Sequence, residues 1–231
     1  MDGKRQEKMK RYMLASVFVL FTLSLYDSSS AQTCTPDYGF ATVTPRSQET
    51  GQWCWAATQQ MVMESHGNQY SIPQCLLVTE ILRGQRRISR NVRSCCDPEY
   101  MLDPVCSRPS WPDFPKKNFN TIRTHLRPAQ GLSWEEITDQ ICRGHPLVIT
   151  LEFSQSSHQY VVAGYRVLGN GKRLIYVLDP LGIDESDPTA TEDRWRSFQY
   201  FYVEAWGGQA KHSYDYIEIC PYETMMDGKC G

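Results

Sequence analysis

No uninterrupted apolar run of 18 residues occurs in the chain, so no segment reads as a membrane-spanning helix. CxxC and HxxxH spacings are both missing, and the adjacent Cys95 and Cys96 are poorly spaced to ligate one ion. A zinc site is therefore the weaker competing use of the cysteines, and neither a metal nor a cofactor is expected. No N-x-S/T sequon occurs, so glycosylation gives no hint of compartment. Nor does one sign of charge dominate. The 24 Lys and Arg against 26 Asp and Glu give a formal net charge of −2, which argues against nucleic acid or an anionic membrane surface as partner. Repeats and low-complexity tracts are absent. What remains is 231 residues, 41% hydrophobic and 12% aromatic, enough for one domain with a full core and short for two.

The first 31 residues differ from the rest. Lys4, Arg5, Lys8, Lys10 and Arg11 form a basic n-region, "YMLASVFVLFTLSLY" is a short apolar h-region, and "SSSA" supplies small residues before Gln32. This is the pattern of a secretory signal peptide cleaved after Ala31; an uncleaved anchor is the alternative. The expected layout is thus a signal at 1–31 and one domain at 32–231 with a net charge of about −4. Secretion, or delivery to a periplasm or lumen, is expected, with no membrane span after signal removal.

All nine cysteines (34, 54, 75, 95, 96, 106, 142, 220 and 230) fall in that domain. In an oxidising compartment thiols pair, and an odd count leaves one to stay free, pair between chains or do chemistry. Four disulfides plus one working thiol is the economical count. The pairing is not readable, since eight cysteines allow about 105 connectivities.

"QTCTPDYGFATVTPRSQETG" reads as an extended lead-in. A helix follows over "WCWAATQQMVMESH", with Cys54, Ala57, Thr58, Met61 and Ser65 on one face and Gly67 as its stop. A second helix, "SIPQCLLVTEILRG", carries an apparent capping box from Ser71 to Gln74. Residues 85–115 read as a long cysteine-rich loop pinned by disulfides. "SWEEITDQICRG" is a third helix, capped by Ser133 and Glu136. Then β-branched and aromatic residues take over in "LVITLEF", "YVVAGYRVL", "RLIYVLD" and "YDYIEI", and Asn170-Gly171 marks a hairpin. Helices first and a mostly antiparallel sheet afterwards make an α+β fold.

Cys54 stands at a helix start, where unpaired backbone N–H groups and the helix dipole stabilise a thiolate. It can equally be a buried or disulfide-bonded cysteine. A nucleophilic thiolate needs a partner that holds its charge and later protonates the leaving group. Of the five histidines, His66 ends the first helix, His125 and His145 sit near helix ends, and His212 lies in a polar turn. His158 opens an apolar strand, "SSHQYVVAGY". With the hairpin turn near 169–170, His158 falls roughly opposite residue 181, two positions from Asp179. Diagonal neighbours of this kind share a face at roughly 7–8 Å. Asp179 can therefore orient the imidazole, although Asp-Pro is also ordinary turn chemistry. An oxyanion needs N–H donors. The Cys54 backbone is one; Gln48 or Gln52 is the other, and Gln48 is preferred because it has a loop in which to turn.

These motifs, "QWCWAATQQMVM", "SSHQYVVAGY" and "IYVLDPLG", resemble the papain-like cysteine proteases. The likeness is closer to a compact branch that includes the bacteriocin-processing double-glycine peptidases and secreted effector proteases of plant pathogens. The resemblance implies Gln48 as oxyanion glutamine, Cys54 as nucleophile, His158 as general acid and base, and Asp179 as its orienter. It implies a papain-like α+β fold, a peptide or protein substrate and a monomer. Gly51 stands where papain has a second cysteine, and no Asn-Ser-Trp follows His158. With 23 residues from Gln32 to Cys54, no room remains for a papain-type propeptide. Two other functions fit the same residues: amide or acyl transfer by the same triad, and a disulfide-stapled binding protein with Cys54 oxidised.

Overall fold

The computed structural model describes residues 34–89, 91–115, 118–125, 131–183, 194–227 and 229–230. The chain divides into two units, Met1–Ala31 and Gln32–Gly231. The first, with the expected signal segment, lies outside the described residues.

Four α-helices are described: α1 (Cys54–Ser65), α2 (Gln74–Gly84), α3 (Pro98–Met101) and α4 (Trp134–Cys142). The strands are β1 (Tyr38–Phe40), β2 (Phe119–His125), β3 (Leu147–Glu152), β4 (Ser157–Val167), β5 (Arg173–Leu178), β6 (Trp195–Ser197), β7 (Lys211–Pro221), β8 (Met225–Met226) and β9 (Lys229–Cys230). Seven form one antiparallel sheet in the order β2-β7-β3-β4-β5-β6, with β1 on β4. The α+β fold expected from the sequence is the one observed. Among the described residues no helix is long and apolar enough to cross a membrane.

The sheet separates two cores by strand alternation. Ile149, Leu151, Tyr160, Val162, Ile175 and Val177 face Trp134, Ile137 and Ile141 of α4. Val148, Val161, Ala163, Tyr176 and Leu178 face Met61, Val62 and Met63 of α1. Expected to be one-sided, α1 is instead buried on nearly every side, because a third core of Trp53, Trp55, Val78, Leu82, Val92, Cys95 and Cys106 closes over it.

In the β4–β5 hairpin that carries the site, alternation breaks once. Near the hairpin tip Arg166 pairs with Leu174 and Tyr165 with Ile175, but further down Val162 pairs with Val177 and Val161 with Leu178. The register shift lies between Val162 and Gly164. This is a β-bulge, one extra residue on β4 that reverses which face each side chain takes. Beyond it Tyr165, an odd-numbered residue, joins the core of even-numbered Tyr160 and Val162. The Ala163 carbonyl accepts from Ala41 N at 2.7 Å. A Cβ on Gly164 would lie 2.7 Å from Phe40 Cδ2 and 3.2 Å from the Gly39 oxygen.

Eight cysteines pair as Cys34–Cys142, Cys75–Cys96, Cys95–Cys106 and Cys220–Cys230. Cys54 alone is free. The Cys-rich loop is pinned as expected and contains α3, capped by Asp97, whose side chain accepts from Glu99 N. Ser133 and Glu136 form the capping box at α4. The one expected at Ser71 does not form. Pro73 caps α2, and Ser71 donates instead to Glu64 Oε1 at 2.5 Å. That carboxylate, buried with α1, also takes Arg46 Nε at 2.9 Å and draws the hydroxyl away.

Two histidines pack side by side at the end of α1 remote from Cys54: His66 and His145, ring centroids 5.6 Å apart. Burial first, then the neighbouring His145, lowers the His66 pKa to about 4, against a small opposing effect of a backbone hydrogen bond to Ile219. The unfolded chain binds this proton more readily than the folded one. Stability from this site is therefore complete above about pH 6.5 and falls as the pH drops towards 4, by up to about 3 kcal/mol. Urea unfolding between pH 7 and 4 should show that slope, and His66→Gln should flatten it. Gly164→Ala should lower stability by about 1–3 kcal/mol in the same assay, since the added methyl must displace β1 or Phe40.

Candidate active site

The site is built from the first residue of α1, the second residue of β4 and the residue that follows β5. Trp53, Cys54 and Trp55 open α1, and both indoles are fully buried. Trp53 Nε1 donates to the Cys106 carbonyl at 3.0 Å and Trp55 Nε1 to the Arg108 carbonyl at 3.2 Å. Consecutive helical residues point in different directions, so two tryptophans locked into the disulfide loop leave Cys54 to face away from it. Cys54 is half-buried.

His158 Nε2 lies 2.6 Å from Asp179 Oδ1. This leaves Nδ1 for the thiol of Cys54, which hydrogen-bonds the ring. Burial works to lower the imidazole's pKa, but it is outweighed by the hydrogen bonds to Asp179 and Cys54 and by their charges, and the net position is about 9. The ring is thus an imidazolium at neutral pH. Its side chain is 16% exposed and that of Asp179 38%. Asp179 Oδ1 also accepts from Leu181 N at 2.9 Å, which fixes the carboxylate in its turn. Tyr160, two residues along β4 and so on the same face, meets the His158 ring edge-on at 4.7 Å and 88°. On the other face of β4, Thr58 Oγ1 approaches Gln159 Oε1 at 3.5 Å, where α1 crosses the strand.

The preceding loop is tied to the same turn. Gln48 N donates to the Pro180 carbonyl at 2.9 Å, and Ser47 Oγ to that of Ile183 at 2.6 Å. Gln48 Nε2 donates to the Thr50 carbonyl at 2.8 Å, the oxygen that also receives Trp53 N at 3.2 Å. The carboxamide therefore lies against the turn that opens α1 and keeps a second N–H proton. Gln52 is exposed, and its backbone N–H approaches Thr50 Oγ1. Of the residues singled out from the sequence, Cys54, His158 and Asp179 come together in one hydrogen-bonded line, and Gln48 joins them through the loop. No group of three or more potential metal ligands occurs among the described residues.

The sequence reading missed two things. One is Tyr160, although a strand with His158 at its mouth necessarily puts the next-but-one residue beside it. The other is His212, expected in a polar turn but found in β7, where its Nε2 is 2.9 Å from the buried Asp215 Oδ1. Tyr202 donates to the second oxygen of that carboxylate at 2.6 Å. This second His–Asp pair is sealed in the core, with side chains 5% and 0% exposed, and has no nucleophile in it.

No curated protein matches the sequence. A family model does: the one described as Peptidase_C39 like matches residues 40–208, a span that contains Gln48, Cys54, His158 and Asp179. Together with the α+β architecture this shows that the chain belongs to the Peptidase_C39-like family and is a cysteine-type peptidase of papain-like fold.

Proposed function

We propose that the protein is a secreted endopeptidase in which Cys54, His158 and Asp179 form the catalytic triad and Gln48 supplies an oxyanion donor. The observation that supports this most is the hydrogen-bonded line from the one unpaired cysteine, at a helix start, through His158 to Asp179. The Cys54 thiolate attacks the scissile carbonyl carbon. Negative charge builds on the oxygen, which the Cys54 backbone N–H and Gln48 Nε2 stabilise. His158 gives its Nδ1 proton to the leaving amine, the C–N bond breaks, and a thioester remains. Neutral His158 then takes a proton from water as the water oxygen attacks the thioester carbon, the C–S bond breaks to release the carboxylic acid, and the Cys54 thiolate and protonated His158 are restored. Asp179 holds the ring so that Nδ1 faces sulfur throughout.

The layout of a cleaved signal at 1–31 and a monomeric catalytic domain at 32–231 belongs to the same proposal. Four disulfides fit an oxidising compartment. They also weigh against the binding-protein alternative, because that reading needs Cys54 oxidised and all eight other cysteines are already paired.

Cys54→Ala should abolish peptide hydrolysis and labelling by an epoxysuccinyl thiol trap while leaving the melting temperature within a few degrees of wild type; activity that survives refutes the mechanism. Gln48→Ala should lower kcat by about 10²–10³ with Cys54 still labelled. The pH profile tests the base. Because His158 must be protonated to release the amine, kcat/KM should fall as the pH rises through about 9. Asp179→Asn removes the carboxylate charge that helps hold the proton, so that alkaline limb should move down towards 6.5. An unmoved limb assigns the titration to another group.

A further inference from the structure

The chain carries an unusual backbone feature on the His158 side of the site. After the π-helical turn Phe198–Val203, four consecutive residues adopt left-handed φ: Ala205 (45°), Trp206 (63°), Gly207 (60°) and Gly208 (81°). Glycine enters this region freely, but alanine and tryptophan do so at a cost, and such residues persist where the surroundings hold them. Here Trp206 N donates to Phe201 O at 3.1 Å, Gly207 N to Tyr200 O at 2.7 Å and Ala210 N to Ala205 O at 3.1 Å. The result is to lay the Trp206 indole nearly parallel to Tyr160, centroids 6.1 Å apart at 25°, with Phe201 edge-on at 5.1 Å and Phe153 at 6.5 Å. Tyr160 in turn abuts the His158 ring. Unlike Trp53 and Trp55, Trp206 is only half-buried.

This inference rests on the triad proposed above. His158 can protonate the leaving nitrogen only from within hydrogen-bond distance, so surface beyond its ring, away from Cys54, faces the leaving half of the peptide. The partly open indole, backed by Tyr160, Phe201 and Phe153, is an apolar floor there. A flat π-face of this kind favours aromatic and large aliphatic side chains and offers no partner to a carboxylate. We propose that Trp206 is a specificity-determining residue: it forms the wall of the subsite for the first residue after the scissile bond and selects a large apolar side chain there.

The test is a peptide series of fixed acyl half in which that residue is Phe, Leu, Gly or Asp. Wild type should cleave the Phe and Leu peptides with kcat/KM about 10-fold or more above the Gly and Asp peptides. Trp206→Ala should bring the four within about threefold of one another, mostly through a higher KM for Phe and Leu. Trp206→Phe should keep much of the preference. The rate of Cys54 labelling by the thiol trap, and kcat for an ester substrate that lacks any residue after the scissile bond, should be unchanged in both variants. Equal losses on all four peptides and on the ester would show a merely structural role and overturn the proposal. So would a wild-type enzyme that labels at Cys54 but shows no preference, or cleaves none of the four. Failure to label Cys54, or cleavage that survives Cys54→Ala, would instead refute the triad while the preference at Trp206 is read independently.

Discussion

One extra residue in β4 decides whether the site exists. The hairpin tip, where Leu168 N donates to the Lys172 carbonyl, sets a register that, continued without interruption, pairs 161 with 179. In that register the odd-numbered residues of β4 and β5 share a face, and His158 projects to the opposite side of the sheet from Asp179. The bulge between Val162 and Gly164 shifts the pairing so that even residues of β4 join odd residues of β5. His158 and Asp179 then meet at 2.6 Å. Stability and function are coupled at this point, because the bulge needs a glycine where β1 passes close to the strand. It also needs a donor for the Ala163 carbonyl, which Ala41 N–H supplies.

The other half of the site depends on packing. Cys54 sits between two of the largest side chains in the chain, and both are fully buried in the disulfide loop. Each indole N–H finds a backbone carbonyl there, so neither tryptophan carries an unpaired buried donor. The loop, through Cys75–Cys96 and Cys95–Cys106, is held to α2 and closed on itself. A small chain thereby fixes the rotation of α1 about its axis with covalent help, where a larger enzyme would use a second layer of helices. The strand side is fixed separately by the sheet, and the two meet where Thr58 crosses Gln159.

Much of this was readable from the sequence, unevenly and for physical reasons. The three long helices and four strands announce themselves by period and by caps, and parity alone singles out one of nine cysteines. The pairing of His158 with Asp179 was also reached, but on a turn centre of 169–170 that fits only because the bulge offsets the true turn by one residue. A bulge leaves no mark in hydrophobic alternation when both faces of the strand are apolar, as they are from Tyr160 to Ala163. Ser71 misled for a different reason: a capping box is a local pattern, and the buried Glu64 carboxylate, seven residues back, outcompeted it. The π-helical turn and left-handed run at 198–208 had no signal beyond Gly207-Gly208, since their conformation comes from packing of Phe201, Tyr202 and Trp206 rather than from local propensity.

On the proposed mechanism, a reactive thiol among four disulfides poses a hazard of its own. A thiolate attacks a disulfide sulfur wherever it can approach one, and exchange would bury the nucleophile in a mixed pair. Two features of the fold oppose this. Cys95, Cys106 and Cys220 are fully buried and Cys230 nearly so, which closes the approach to two of the four bridges. Trp53 and Trp55 pack with Cys95 and Cys106, while Cys54 between them hydrogen-bonds His158. The tryptophans that aim the thiol at the imidazole thus also keep it from its disulfide neighbours. Loop closure adds a further constraint: the bridge Cys34–Cys142 spans 108 residues and, on chain entropy, stabilises the fold by about 5 kcal/mol against about 3 for the bridge spanning 11. The long bridge ties the lead-in that carries β1 to α4, and β1 is the strand that holds the bulge. Covalent order at one end of the molecule therefore supports the register on which His158 and Asp179 depend.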